Sequence, residues 1–253
     1  MKSILITLGQ LFFSLFMYFM ATVFFGIALI PSVALFLKVW ADTLGYPLLP
    51  RFFFLGASLA LGYFIFGFAL ILCVGLFRFI FRLRLKEGHY PIFSKEALKW
   101  AFLGALYLMV NLTFVDFILL TPFANLMYRL LGVKLGRNVQ FNSKFVFDAT
   151  LLEIGDNTVV GGGAIILGHI VERGILRLKK VKIGRNVTIG SHCTIMPGCE
   201  IEDGAIIGAS AVLLKDTQVG RREIWFGIPA EALRKRHGLQ PHEEKKEGSN
   251  GPS

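Results

Sequence analysis

The stretch 183–219 repeats with a period of six residues, and this period limits the folds open to the chain. Aliphatic side chains occupy every sixth position: Ile183, Ile189, Ile195, Ile201, Ile207, Leu213 and Val219. Small residues follow four positions behind: Val187, Cys193, Cys199, Ala205, Ala211 and Thr217. A period of six fits neither an α-helix nor a two-faced strand. It predicts a solenoid with triangular coils, in which the aliphatic residues fill the interior and the small residues let the wall turn.

The composition is too apolar for an ordinary soluble protein. Of 253 residues, 54% are hydrophobic and only 17% are charged, so membrane segments are expected. The net charge of +10 fits anionic lipid headgroups, a phosphorylated cofactor or nucleic acid as a partner. Nucleic acid is not predicted, because the sequence has no zinc-finger spacing, RNA-binding aromatic motif or basic heptad helix.

Two uncharged runs predict membrane spans near 3–37 and 52–77. The first is longer than a hydrocarbon core of ~30 Å requires, and Pro31 lies within it. It therefore forms either one long kinked helix or a span followed by a short interfacial piece. The second run is a transmembrane helix. The basic cluster that follows it indicates a cytoplasmic end: Arg78, Arg82, Arg84 and Lys86.

A third apolar segment, 100–128, is interrupted by Asn111, Asp116 and Pro122 and has basic residues on both sides. We interpret it as a re-entrant or interfacial helical pair that keeps the following chain cytoplasmic. Asp116 is either a functional intramembrane carboxylate or a cap at a helix break near the surface. Residues 1–130 thus form a membrane-embedded helical domain, and the protein is predicted to be an integral membrane protein with a cytoplasmic solenoid.

The solenoid is predicted to span 131–228. Leu135, Phe141 and Phe147 fill a first coil, and one extra residue precedes the next. A short capping helix at 229–236, begun by Pro229, and a disordered tail at 237–253 complete the chain. Cys193 and Cys199 are interpreted as wall-filling residues, with no disulfide or metal role.

The ladder lapses at 167–182, and this excursion contains the best catalytic candidate, His169. Excursions from repeat walls usually carry function, and imidazole can accept a proton from a hydroxyl or amine. Asp148 is predicted to lie one rung below the excursion, where its carboxylate would orient the imidazole or hold the acceptor. Glu172, three residues along the same loop, is the competing partner. His192 faces solvent and is interpreted as a bystander.

The motif order resembles the hexapeptide-repeat acyltransferases, and most closely the maltose and galactoside O-acetyltransferases. The resemblance rests on Ile154-Gly155-Asp156-Asn157, the His-bearing loop, Val181 to Val187, Pro197-Gly198, Leu214-Lys215-Asp216 and Gly227-Ile228-Pro229-Ala230. It implies a left-handed parallel β-helix, trimers with the active site between subunits, and acetyl transfer from acetyl-CoA to a hydroxyl.

The resemblance also implies residue roles. His169 stands at the general base, Asp148 at an acceptor-side carboxylate and Ser191 at a residue that stabilises the oxyanion. Ala209, Lys215 and Arg234 stand at positions that contact CoA, the last two near its phosphates. A membrane domain replaces the helical cap of the soluble sugar enzymes, so a free sugar is not the expected acceptor.

A second resemblance covers the junction of the two parts. Thr121-Pro122-Phe123 and Tyr128 to Val139, with Tyr90 to Ser94 and Trp100 upstream, look like the membrane-embedded terminal domain of peptide synthetases of the polylysine-synthetase type. This resemblance implies acyl or aminoacyl transfer at a membrane face.

The leading hypothesis is a membrane-bound acyltransferase with His169 as general base. It would move an acyl group, in the first instance acetyl, from acetyl-CoA or another thioester to a hydroxyl or amine of a lipid or lipid-linked acceptor. The alternatives are an aminoacyl- or peptide-transferring membrane domain and a catalytically inactive β-helix scaffold. A zinc hydratase of the γ-carbonic anhydrase type needs three converging histidines, whereas the repeat offers only His169 and His192, so no metal is predicted.

Overall fold

The computed structural model describes residues 2–233, with side chains from residue 7 onward. An N-terminal helical part packs on the first coils of a parallel β-helix. The predicted tail at 237–253 lies outside the described residues.

Two long helices form most of the N-terminal part: α1, Lys2–Asp42, and α2, Leu48–Ile80. Thr7–Asp42 and Leu48–Ile80 are long and apolar enough to cross a membrane. Helix α1 continues through Pro31, so of the two alternatives the structure has a single helix. The two helices pack closely at Gly62, whose carbonyl accepts a hydrogen bond of 2.7 Å from Ser32 Oγ.

Two shorter helices, α3 (Lys95–Thr113) and α4 (Pro122–Leu131), lead to the β-helix. Ser94 caps the start of α3 by accepting from the Ala97 backbone N–H, and Thr121 caps α4 with Pro122 in its first turn. Gly132 ends α4 in the left-handed region, the usual role of glycine after a helix. The end of α4 thereby turns directly into the first coil.

Asp116 lies in the 3-10 turn between α3 and α4. Its side chain is 61% exposed and lies 2.7 Å from Lys144 Nζ on the first coil. Of the two interpretations of Asp116, the structure favours a surface position at a helix break.

Residues 2–233 contain seventeen short strands, the first of which lies between α2 and α3. They are β1 Gly88–Pro91, β2 Lys134–Leu135, β3 Gln140–Phe141, β4 Leu152–Ile154, β5 Val159–Val160, β6 Ile165–Ile166, β7 His169–Glu172, β8 Ile175–Leu178, β9 Val181–Ile183, β10 Thr188–Ile189, β11 Thr194–Ile195, β12 Glu200–Ile201, β13 Ile206–Ile207, β14 Val212–Leu213, β15 Gln218–Val219, β16 Ile224–Phe226 and β17 Glu231–Ala232.

The strands form the three faces of a parallel β-helix. The first face pairs β2, β4, β9, β12 and β15, the second β3, β5, β10, β13 and β16, and the third β6, β11 and β14. The register joins residues of successive coils, as in Ile195 with Ile166 and Leu213. The chain visits the faces in this order in the three coils that begin at β4, β9 and β12. The parallel β-helix predicted from the ladder is therefore confirmed.

The ladder fills the interior as predicted. The aliphatic residues at every sixth position from Ile183 to Val219 are at most 4% exposed, and Cys193, Cys199, Ala205 and Ala211 are fully buried. Both cysteines are free. Neighbouring coils stack so closely that a Cβ on Gly190 would lie 2.6 Å from the Ala209 backbone nitrogen. Glycine at this corner is therefore required by the contact between coils.

The first coil departs from the predicted pattern. Val146, not Phe147, is the fully buried residue that pairs with Ile166. The helical part holds the preceding backbone out of register, because Tyr128 Oη donates to the Ser143 carbonyl at 2.9 Å and the Tyr107 hydroxyl donates to that of Lys144. Phe147 instead packs edge-on against Tyr107.

The C-terminal end also differs from the prediction. Glu231–Ala232 forms β17, which pairs antiparallel with β16, where the start of a capping helix was expected. The helix prediction is wrong at these two residues, because the open edge of the second face offers backbone hydrogen-bond partners that a returning strand can use. Pro229 and Ala230 lie in a turn, Leu233 is helical, and residues 234–236 of the predicted helix lie outside the described residues.

Candidate functional site

The excursion at 167–182 is a β-hairpin. It leaves the β-helix at the corner between the third and first faces, where β6 would otherwise lead to β9. Strands β7 and β8 pair antiparallel, and β1, which comes from the helical part, adds to the free side of β8. His169 is the first residue of β7 and lies opposite Leu178. The hairpin is thus fixed to both parts of the protein, and His169 lies at its base.

Asp148 lies at the same corner, one coil earlier, and contacts His169. Its Oδ2 is 2.5 Å from His169 Nδ1 and accepts a 2.9 Å hydrogen bond from the Gly168 backbone N–H. Its Oδ1 accepts from Trp100 Nε1 at 2.9 Å. Both carboxylate oxygens therefore have partners, and the side chain is only 5% exposed.

This arrangement fixes one side of the imidazole and leaves the other for chemistry. A carboxylate on Nδ1 orients the ring and favours the tautomer in which Nε2 lacks a proton. The Trp100 ring packs against the imidazole with centroids 4.7 Å apart. The His169 side chain retains 24% exposure, so Nε2 can act as a proton acceptor for a bound hydroxyl or amine.

A cavity of about 300 Å³ adjoins this pair of residues. It lies between the helical part and the first coils, and its walls come from α2, α3, the end of α4 and the segment 147–150. Asp148, His169 and Trp100 all line it. A pocket with apolar walls and a few convergent polar groups is the usual form of a small-molecule site.

Glu172 does not contact His169 in the described structure but pairs with Lys215. Lys215 Nζ lies 2.7 Å from Glu172 Oε1 and 2.8 Å from Oε2. The lysine holds the pKa of Glu172 below its usual value. Of the two carboxylates weighed from the sequence, Asp148 is therefore the partner of His169, and Glu172 ties the far end of the hairpin to a later coil.

Asp216 ties the other strand of the hairpin to that coil. Its carboxylate lies 2.5 Å from both Arg177 Nη2 and Lys179 Nζ. The neighbouring Lys179 and Arg177 lower the pKa of Asp216. The basic run of the excursion thus holds the hairpin along the corner of the β-helix.

Ser191 and Ala209 lie together, but apart from His169. Both follow strands of the second face, β10 and β13, and the Ser210 backbone N–H donates to the Ser191 carbonyl at 2.8 Å. This corner joins the second and third faces, whereas the hairpin that carries His169 departs from the corner between the third and first faces. Within one chain, these predicted site residues therefore occupy two edges of the triangular coil. Arg234 lies outside the described residues.

The sequence reading missed Trp100 as a site residue. It appeared only as part of a resemblance, because nothing in its local pattern shows that α3 will pack over a coil whose residues come 48 positions later. The available signal was a single tryptophan in a segment that also carries polar residues. Among residues 2–233, no group of three or more His, Cys, Asp or Glu side chains is placed to hold a metal ion.

Comparison with solved structures finds acetyltransferases among the similar proteins. A maltose O-acetyltransferase from Clostridium difficile 630 has 22% identity and a TM-score of 0.45, and the match covers 59% of this chain and 92% of that one. A hexapeptide-repeat acetyltransferase from Vibrio cholerae O1 biovar eltor, complexed with acetyl coenzyme A, has 18% identity and a TM-score of 0.45, with 61% and 96% covered.

A curated relative matches a larger part of the sequence. Delta-poly-L-ornithine synthetase from Acinetobacter baumannii (strain AB307-0294) is 22% identical over 174 residues, which is 68% of this chain and 13% of that protein. The chain thus spans only a small part of this relative's length. The family model "Bacterial transferase hexapeptide (six repeats)" matches residues 180–215. The matched residues 180–215 contain most of the ladder that begins at Ile183.

Proposed function

We propose that the protein is a membrane-associated acyltransferase that moves an acyl group from a CoA or carrier thioester to a hydroxyl or amine. The contact of His169 with Asp148 at the edge of an apolar cavity carries this proposal. The membrane location is supported by the two long apolar helices. The acceptor is proposed to be membrane-associated or lipid-linked, because the cavity adjoins the helical part.

In the proposed reaction, His169 Nε2 takes the proton of the acceptor hydroxyl or amine. The freed oxygen or nitrogen attacks the thioester carbonyl, and the tetrahedral intermediate collapses with loss of the thiolate. The imidazolium then returns its proton to the departing sulfur. Asp148 stabilises the imidazolium and fixes its orientation, a role of a buried carboxylate beside a general base.

The oxyanion and the donor require groups beyond this pair. Ser191 and nearby backbone N–H groups are proposed to stabilise the oxyanion, which is worth about 3 kcal/mol per donor. Ala209, Lys215 and Arg234 are proposed to contact CoA. Because Ser191 and His169 lie at different edges of one coil, a site that uses both is complete only between two copies. This separation supports a homo-oligomer, for which we propose the trimer expected of such β-helices.

A second candidate is aminoacyl or peptide transfer from a carrier thioester. It is favoured by the match to delta-poly-L-ornithine synthetase and uses the same base and the same cavity. The two candidates differ in the group that is transferred, and the test of the first uses CoA as the donor. Acetyl-CoA should support turnover under the first and should not do so under the second.

The test uses the full chain in lipid nanodiscs made from total bacterial lipid, with radiolabelled acetyl-CoA. Transfer of label to the lipid fraction is expected. His169→Ala should lower this transfer by at least a hundredfold with an unchanged melting temperature. The matched control is His192→Asn, which suits the left-handed backbone at that exposed turn and should retain full transfer. Full activity of His169→Ala would contradict the proposed base.

A further inference from the structure

We infer that the cavity beside His169 binds the aliphatic chain of the acceptor, an inference that rests on the proposed acyl transfer. Arg78, Asp148 and His169 are the acidic and basic side chains of its wall, and Asp148 and His169 lie at the reacting end. The remainder is mainly apolar, with Leu131 and Phe147 among the lining residues. A ligand that fills this space must be apolar over most of its length and carry its polar group next to His169.

The position of the cavity assigns the chain to the acceptor and not to the donor. Its walls come largely from α2 and α3, which belong to the apolar helical part. Ala209 and Lys215, the residues proposed for the donor, lie on later coils and do not line it. The acceptor chain therefore enters from the helical side, while the thioester approaches along the β-helix.

Volume limits the chain that the cavity accepts. A space of about 300 Å³ is at the lower end of the range for ligand sites, so it holds one chain and not two. Each methylene that leaves water for an apolar wall should strengthen binding about fourfold. Affinity should thus rise with chain length and stop rising once the cavity is full.

Gly104 on α3 offers a direct way to fill the cavity. It lines the space, and a Cβ built on it meets no atom within 4 Å. A larger side chain there occupies ligand space without a clash at its root. Gly56 on α2 provides the matched control, because its Cβ also meets nothing within 4 Å and it does not line the cavity.

The experiment photolabels the full chain in nanodiscs with a dodecanol analogue that carries a diazirine near the chain end, followed by peptide mass spectrometry. Label is expected on the cavity segments of α2 and α3. Gly104→Ala should lower it slightly and Gly104→Leu at least tenfold, whereas Gly56→Leu should change it less than twofold. Equal labelling of Gly104→Leu and the wild type would overturn the inference, provided that the melting temperatures agree. If Gly104→Leu is unstable, Ala101→Leu on the same wall replaces it, with the same expected and contradicting results.

Two further arms of the experiment are added. The first distinguishes an acceptor chain from a donor chain, and the second distinguishes the chain site from the proposed role of His169 as base. Dodecanol should displace the label and dodecanoyl-CoA should not, and the reverse result would assign the chain to the donor and overturn the inference. Labelling needs no turnover, so His169→Ala should still be labelled on the same cavity segments and with the same dependence on Gly104. A labelled, Gly104-dependent cavity in a protein that transfers acyl groups without His169 would support the chain site while refuting the proposed base.

Discussion

His169 Nδ1 lies 2.5 Å from Asp148 Oδ2, and this contact joins residues from two successive coils. We predict that Asp148→Asn lowers kcat roughly a hundredfold or more, because an amide cannot stabilise the imidazolium as a carboxylate does. The substitution suits the backbone, since Asp148 has φ +58° and asparagine tolerates the left-handed region.

The measurement is acyl transfer in nanodiscs, with thermal unfolding as a check on the fold. Asp203→Asn is the matched control, because the Asp203 carboxylate also accepts a backbone hydrogen bond, from Arg185 at 2.7 Å, but lies on a later coil. Asp203→Asn should keep its kcat within about twofold of wild type. If both variants lose activity equally, the effect of Asp148 is structural.

Trp100 is predicted to be a positioning residue. Trp100→Phe retains an aromatic ring beside His169 but removes the N–H that Asp148 Oδ1 accepts. One oxygen of a nearly buried carboxylate then lacks its partner, and the imidazole is held less firmly. We expect kcat to fall about tenfold, with the KM for the acyl thioester unchanged.

A purely structural role for Trp100 would show a different result. It would lower the melting temperature and leave the kcat of the folded fraction at the wild-type value. Trp40→Phe in α1 is the control, since Trp40 contacts Arg51, with the guanidinium 4.6 Å from its ring centroid, and lies outside the site. This variant should leave kcat unchanged.

The sequence predicted the β-helix well because the ladder reports burial directly. Each position from Ile183 to Val219 meets its equivalent on the next coil, so a local six-residue pattern repeats the whole tertiary environment. The pattern failed at Phe147, where Tyr107 and Tyr128 of the helical part displace the first coil. It failed again at Glu231, where an open sheet edge decided the local structure. In both places the local structure depends on contacts that a six-residue period does not contain.

Candidate residues were easier to place than their partners. The lapse of the ladder located the excursion, and counting one coil back located Asp148 beneath it. The choice between Asp148 and Glu172 needed the structure, because it depends on the orientation of the hairpin. Ion pairs with Lys215 and Asp216, two coils later, hold the hairpin. Glu172 is therefore directed away from His169. The role of Trp100 could not be predicted from the sequence, because only tertiary packing brings α3 to this corner.

Cys199 is predicted to be unreactive in the native protein and to make stability fall at high pH. Burial raises its pKa to about 11 and also raises the pKa of Cys193. An unfolded thiol ionises near pH 8.5, so the folded state alone retains the proton above that point. The contribution is fully present below about pH 8.5 and is lost as pH rises toward 11.

The measurement compares thermal unfolding at pH 7.5, 9 and 10.5 for the wild type and Cys199→Ala. The variant should lose less stability between pH 7.5 and 10.5, because a titrating group has been removed. Iodoacetamide at pH 8 should modify Cys199 only after unfolding, in a background where Cys73 is serine. Rapid modification of the native protein would contradict the burial of this thiol.

The ion pair between Lys215 and Glu172 gives a prediction about the donor site. If Lys215 binds CoA phosphates, Glu172 competes for the same ammonium, since Nζ lies within 2.8 Å of both carboxylate oxygens. Glu172→Gln should therefore lower the KM for acetyl-CoA several-fold, and Lys215→Met should raise it, with kcat unchanged in both. These changes should shrink at high salt, because exposed charges are screened. An unchanged KM in Lys215→Met would remove Lys215 from the donor site, and a raised KM in Glu172→Gln would show that the carboxylate positions the lysine instead of competing for it.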